Sequence, residues 1–332
     1  MLVDLSRLPP PNVVEEISFE AILTERKERF VGLYPEEAQD AVRQTLALES
    51  EPIVKQLRES AYREMILRQR INEASRASLL AYATGEDLEN RAADYGVERI
   101  LIAPAEHDAV PPVAAIWEDD ERLRYRCQMA LEGLSVAGSR GAYKFHAMSA
   151  SANIADVSVD SPTFSTVSVS PDVRAQLPTG AIVLVCTYDA GLANPMPGDV
   201  SVSVLPQVNS AQSGKELVAA VGSKLSDEDV RPLTDRVIVQ ESRPKPYRIV
   251  ATVEPEMGPD ADVVMDTARK RLNATVAELR KLAGGAPRSA IYSALHAPGV
   301  RRVVLVEPTE DFVCDPRHHP DCSEIKISRG QL

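Results

Sequence analysis

Aromatic residues are scarce. They make up 5% of the 332 residues, with a single Trp, so any core must be built from Leu, Ile, Val and Ala. Cysteine is scarce too, and four in a chain of this length exclude a disulfide-stapled scaffold. Cys127 and Cys186 stand in helical or apolar surroundings and are expected to be reduced and buried. No apolar stretch approaches the length of a membrane span, so membrane insertion is not expected. The start of the chain, Met1 to Ser6, lacks a basic region followed by an apolar core, so no signal peptide is expected and the protein is read as made in the cytoplasm. Positive charge is also in deficit. Lys and Arg number 37 against 49 Asp and Glu, which leaves a net charge of -12. Beyond Arg301-Arg302 no basic run stands out, so direct binding of a nucleic-acid backbone is not expected.

The familiar catalytic signatures are missing as well. No G-x-x-x-x-G-K-[ST], H-E-x-x-H, G-x-S-x-G or G-x-G-x-x-G occurs. Gly138-Ser-Arg-Gly141 fails the spacing of a nucleophile elbow, and Ser139 suits a helix cap better. Ser323-x-x-Lys326 falls in an apparent strand, where the two side chains of such a pair are not brought together. No catalytic residue and no cofactor is expected. Asp227-Glu-Asp229 lacks the alternating ligands, turn glycine and distant Glu of a calcium loop, and reads as a solvated acidic turn before Pro232. Asp235 or this acidic cluster is expected to pair with Arg231 or Arg236 and hold the start of the next strand. Cys314, His318, His319 and Cys322 lie within nine positions and are the metal candidates. Adjacent histidines point apart in extended backbone, so a turn between strands is the default reading, with a disulfide an option after release from the cell. A metal-dependent binding module centred on this loop, or an enzyme with dispersed residues, are the rival readings.

What is present is a change of periodicity along the chain. Leu5 to Val13 contains Pro9, Pro10 and Pro11 and predicts an extended arm, 1–18. Helices are predicted over Phe19 to Phe30 and Pro35 to Glu49. Ser50 and Pro52 then open a long helix in which Ile53, Leu57, Ala61, Met65, Leu67, Ile71 and Ala74 recur at helical spacing. It is expected to run to Thr84, with Gly85 as its C-cap and a length above about 40 Å. A shorter helix over Glu86 to Tyr95 stops at Gly96. Ala103 to Pro112 reads as a linker. Helices follow over Asp119 to Leu131 and Gly141 to Ala150. Alternation then takes over, at Val157 and Val159, at Val167 and Val169, and at Val200, Val202 and Val204, each expected as half-buried strands. Ile182 to Cys186 is a continuous apolar run and predicts a fully buried strand. Further elements are a helix over Lys215 to Leu225, strands at Arg236 to Gln240, Arg248 to Val253 and Val300 to Val306, and helices over Asp262 to Leu282 and from Pro287. The reading is an α+β multidomain protein. A helical N-terminal region, 19–102, precedes two small ferredoxin-like α/β domains, 113–242 and 248–332. Ala103 to Pro112 and Arg243 to Tyr247 are candidate hinges.

Three segments carry a resemblance. Leu225-Ser-Asp-Glu-Asp-Val-Arg-Pro-Leu-Thr-Asp-Arg-Val-Ile-Val239 resembles a signature of the baseplate protein J family of contractile-tailed phages. Within it Asp227, Asp229, Arg231, Pro232 and Asp235 form the signature loop. Leu48-Glu-Ser-Glu-Pro52 with Tyr62-Arg-Glu64 and Arg68-Gln-Arg-Ile-Asn72 is the second match, and Ser135-Val-Ala-Gly-Ser-Arg-Gly-Ala-Tyr-Lys-Phe-His146 the third. Their order and spacing resemble the family from about Asp4 to Pro308. The chain departs from that pattern at the Cys/His loop and over Ser161 to Gly198, where about thirty residues replace a short turn. The resemblance implies a structural wedge of a tail baseplate, in a phage or a headless tailocin, and not an enzyme. It implies assembly with a second copy, a smaller tail protein of the tail protein I type, and other baseplate and spike proteins, followed by release on lysis. The long helix then supplies candidate assembly contacts: Ile53, Leu57, Met65 and Ile71.

Overall fold

A computed structural model of the protein describes residues 5–9, 11, 17–135, 138–210, 212–256 and 261–330. The expected class is what is found: helices come first, then small mixed sheets with helices beside them. The chain forms two compact units. The first runs to Arg99 and adds Asp119–Gln128; the second holds Ile100–Glu118 and Met129 onward.

In the first unit, α1 (Phe19–Val31), α2 (Glu36–Leu46) and α3 (Pro52–Ala77) pack through their apolar stripes. Ile22 and Leu23 meet Ala61, while Val31 meets Leu46 and Val54. Ser18 caps α1 by accepting from the Ala21 N–H at 3.3 Å. Pro52 opens α3 as expected, but the cap position is Glu51 rather than Ser50. Helix α3 stops at Ala77, short of Thr84, so its 26 residues span about 39 Å. The Ser78 hydroxyl turns back to the Ser75 carbonyl at 2.8 Å, and Leu79 and Tyr82 close separate turns, which diverts the backbone from helix. Gly85 is therefore not a C-cap. It opens α4 (Gly85–Ala93) at a φ of 55°, and Asp120 accepts from its N–H at 3.0 Å. Gly96, at a φ of 66°, follows α4 in the predicted left-handed conformation. Of the predicted arm, residues 1–4, 10 and 12–16 lie outside the described residues. Leu5–Arg7 makes one 3-10 turn, and the Leu8 carbonyl accepts from the Tyr82 hydroxyl at 2.6 Å.

The second unit begins with a two-stranded hairpin of β1 (Leu101–Ala103) and β2 (Ile116–Trp117). The expected linker is its loop, closed by paired Glu106 and Val113 backbone bonds of 2.9 and 3.0 Å. Helix α5 (Asp120–Gly133) leads on to α6 (Arg140–Met148), which Ser139 caps as predicted through the Ala142 N–H. The first sheet has the order β3 (Ile154–Asp160), β6 (Asp199–Pro206), β7 (Arg236–Glu241). β3 runs antiparallel to β6, with Val157 opposite Val204, and β7 runs parallel to it. Helices α6 and α8 (Gly214–Leu225) pack beside the sheet, and α8 starts with a capping box between Ser213 and Glu216. The valines of β6 were expected to be half-buried. As the middle strand it buries Val202 and Val204 on one face and Ser201 and Ser203 on the other.

Between β3 and β6 the chain makes a detour. β4 (Thr163–Thr166), α7 (Pro171–Gln176) and β5 (Leu184–Tyr188) form a separate ribbon. The predicted repeat at Val167 and Val169 falls just after β4, outside any strand. The run Ile182 to Cys186 does contain a strand, but the expectation of burial is overturned: every residue of β5 is exposed, Cys186 included. An apolar run buries only where a second layer covers it, and among the described residues β4 is the one strand paired with β5. Cys127, by contrast, is fully buried.

The second sheet has the order β10 (Val300–Glu307), β8 (Arg243–Pro255), β12 (His318–Arg329). Helices α9 (Ala261–Leu279) and α10 (Arg288–Leu295) supply Leu272, Ile291 and Leu295 to a core with Ile249 and Val253. A small pair, β9 (Gly285–Ala286) and β11 (Phe312–Val313), flanks it. Val300 onward is not the last strand of this core, because β12 runs parallel to β8 along eleven paired positions. That pairing includes Arg243 to Tyr247, so the second candidate hinge is sheet, not linker. A polar seam ties the two sheets together. Arg280 donates to the Pro206 carbonyl at 2.9 Å, Asp156 accepts from the Leu282 N–H at 3.1 Å, and Ser242 meets His319 at 3.1 Å.

Candidate assembly site

The turn Ser226 to Asp235 is built first by local chemistry. The Asp227 carboxylate accepts from the Asp229 N–H at 3.1 Å, and its carbonyl accepts from Val230 and Arg231. Pro232 ends that turn, and its carbonyl accepts from the Asp235 N–H at 3.1 Å. The Arg236 N–H then donates to the Gly198 carbonyl at 2.8 Å, which starts β7 alongside β6.

Two distant segments complete the site. The buried Tyr143 hydroxyl donates to Asp235 Oδ2 at 2.7 Å. Burial and the neighbouring carboxylate push the Tyr143 phenol well above its ordinary value. Gly138, at a φ of 70°, lies where an added Cβ would stand 2.8 Å from Asp235 Oδ2 and 3.0 Å from Pro232 Cγ. Only glycine combines that backbone with that closeness. Two of the three segments that carry the resemblance thus meet in one junction; Val136 and Ala137 of the same stretch lie outside the described residues. The expected partner of Arg236 is corrected. Its guanidinium donates to both oxygens of Asp199, at 2.6 and 2.8 Å, and not to Asp235. The Asp199 side chain is fully buried, also accepts from the Met196 N–H at 2.8 Å, and is held below the usual carboxylate range by Arg236. Arg231 and Leu233 face solvent, and Leu233 is completely exposed.

On α3 the four assembly candidates divide. Leu57 and Met65 pack against Ile22, Leu23 and Ala61, and Ile53 packs against Val31, Leu46 and Val54, all within the chain. Ile71 is 53% exposed and Leu67, one turn before it, is exposed as well. The matched stretch Tyr62 to Arg68 contains a polar clasp. Arg26 of α1 donates to Ser60 and to Glu64, and Arg68 donates to Glu64 at 2.6 Å. These bonds, Arg26 first, hold Glu64 below its ordinary range.

The metal candidates are placed by β12 and the loop before it. His318 Nδ1 meets Asp315 at 2.8 Å, while the buried His319 turns to Ser242, so the two rings take different partners. Although burial opposes it, bonds from His318 and Arg317 hold the Asp315 carboxyl well below its usual range. Burial lowers His319, with Arg280 nearby adding to the effect. Cys314 and Cys322 are free thiols, and burial pushes both up, which disfavours the thiolate that a metal needs. Among the described residues no group of three or more His, Cys, Asp or Glu is arranged to hold a metal ion. No helix among them is long and apolar enough to cross a membrane. Asp199, Arg280 and Gly138 were not identified from sequence as structural pivots. Only Gly138 carried a visible signal, as a glycine just before a capping serine.

A family model described as the baseplate J-like N-terminal domain matches residues 49–106, which include α3 and α4. The chain is 42% identical to "Baseplate protein J" of Escherichia phage P2 over 329 residues, 99% of this chain and 98% of that protein.

Proposed function

This chain belongs to the baseplate protein J family, and on that premise we propose that it is a structural subunit of the baseplate of a contractile injection particle. The observation that carries the reading is the 42% identity across 99% of the chain. Local structure supports it. The signature residues Gly138, Tyr143, Pro232 and Asp235 are spent on packing two segments together, a structural use rather than a chemical one.

In the finer form of the proposal, two copies of the chain join one smaller tail protein of the tail protein I type. These wedges close into a six-fold ring around the spike, hold the sheath loaded, and release it when the ring rearranges. The exposed Leu67, Ile71 and Leu233 are surfaces that assembly would cover. The chain would be made in the cytoplasm, built into the particle and freed by lysis.

Quantitative mass spectrometry of purified particles tests both levels. The chain should be present at two copies for each copy of the smaller tail protein. A one-to-one ratio would overturn the stoichiometry, and absence from particles would overturn the baseplate role itself.

A further inference from the structure

The ribbon of β4 and β5 differs from the two core sheets in what covers it. Its sequence is that of a buried strand, and its surroundings are solvent. Ile182 is 73% exposed, and Leu184, Val185, Val167 and Val173 are exposed with it. A two-stranded ribbon is marginal on its own in water. Exposed apolar side chains gathered in one short segment point to an interaction surface.

The ribbon also differs in charge. From Ser161 to Tyr188 there is one acid, Asp172, and one base, Arg174, on a chain of net charge -12. Two copies meeting across most of the surface would bring acidic groups together, whereas two ribbons would not. The outer edge of β5 has no strand paired with it among the described residues, and β5 carries no charge, Lys or Pro to guard that edge.

We propose that β5 pairs edge to edge with β5 of a second copy of this chain, antiparallel and about a two-fold axis, giving a four-stranded sheet. Such a contact is self-complementary and closed. β5 has five residues, and Cys186 is the middle one. An axis through that position sets Leu184 against Tyr188 of the second copy and brings the two Cys186 thiols within reach of each other, since opposed residues in antiparallel strands lie about 4.5–5.5 Å apart at Cα. Cys186 is exposed and free, so the contact carries its own probe.

The inference rests on the reading that the chain is an assembly subunit, but its test is separate. Mild oxidation by copper phenanthroline should give a covalent species at twice the 36.2 kDa chain mass, reversed by reductant and lost in Cys186→Ser. The experiment is run on the purified full-length chain and on intact particles. Val185→Asp should shift the chain toward monomer in sedimentation while leaving the circular dichroism spectrum unchanged. A wild-type chain with no Cys186-dependent dimer in either preparation overturns the pairing. So does a dimer that survives Cys186→Ser, or a Cys186 crosslink to a different particle protein. None of those results would remove the chain from the particle, which the mass spectrometry decides independently.

Discussion

Tyr143 and Asp235 are 92 positions apart in sequence and share one hydrogen bond at the junction of two signature segments. Tyr143→Phe leaves the carboxylate without that donor and is expected to cost about 1.5–3 kcal/mol in urea unfolding. Gly138→Ala should cost about 1–3 kcal/mol, because the added Cβ meets both strain at positive φ and the Asp235–Pro232 wall. A second prediction concerns acid. Asp199 is ionised at a depressed value in the folded state, so its contribution is complete above the ordinary carboxylate pKa of about 3.9. That contribution is lost as pH falls through the lower folded value. The stability difference between wild type and Asp199→Asn should therefore be full near neutrality and shrink below about pH 4. A difference that stays constant into strong acid would contradict the pairing with Arg236. Sequence spacing placed Ser139 at its cap, because a cap bonds only three positions onward. It misassigned Arg236, whose partner lies 37 positions earlier and is chosen by the fold.

At the scale of elements, periodicity located most helices and strands, because burial on one face leaves a regular trace. α8, α9 and β7 lie close to where the pattern put them. The trace fails where burial depends on what covers an element. The serines of β6 read as a solvent face, yet the strand is central and covered on both sides. β5 reads as core, yet among the described residues no second layer covers it. Helix α3 shows both cases at once. Its N-terminal part is used up against α1 and α2, and its exposed Leu67 and Ile71 are left over. Substitutions should separate the two. Ala61→Asp puts an unpaired charge into a fully buried position and should unfold the first unit. Ile71→Asp should change stability by less than about 0.5 kcal/mol, yet lower the yield of complete particles if that face is covered on assembly. Normal particle yield from Ile71→Asp would remove this face from the interface.

For the whole molecule, the α+β class and the passage from helices to small sheets were legible, since they follow from composition and pattern. The joining of the two sheets was not. Arg243 to Tyr247 resembled a Pro-rich hinge, but it is strand, paired with β12 beside a polar seam through Arg280, Asp156 and His319. Movement between these two sheets would break that seam, so any hinge of the chain is expected elsewhere. The family assignment came from three short segments, and 42% identity across the chain places it in the same family. The protein's place as a structural part of the baseplate is open to direct test. The most direct test is to delete its gene in the producing cell and image the lysate by negative-stain electron microscopy. Complete baseplates and normally loaded tails should disappear and return when the gene is supplied in trans. Normal loaded particles without the gene would contradict that role.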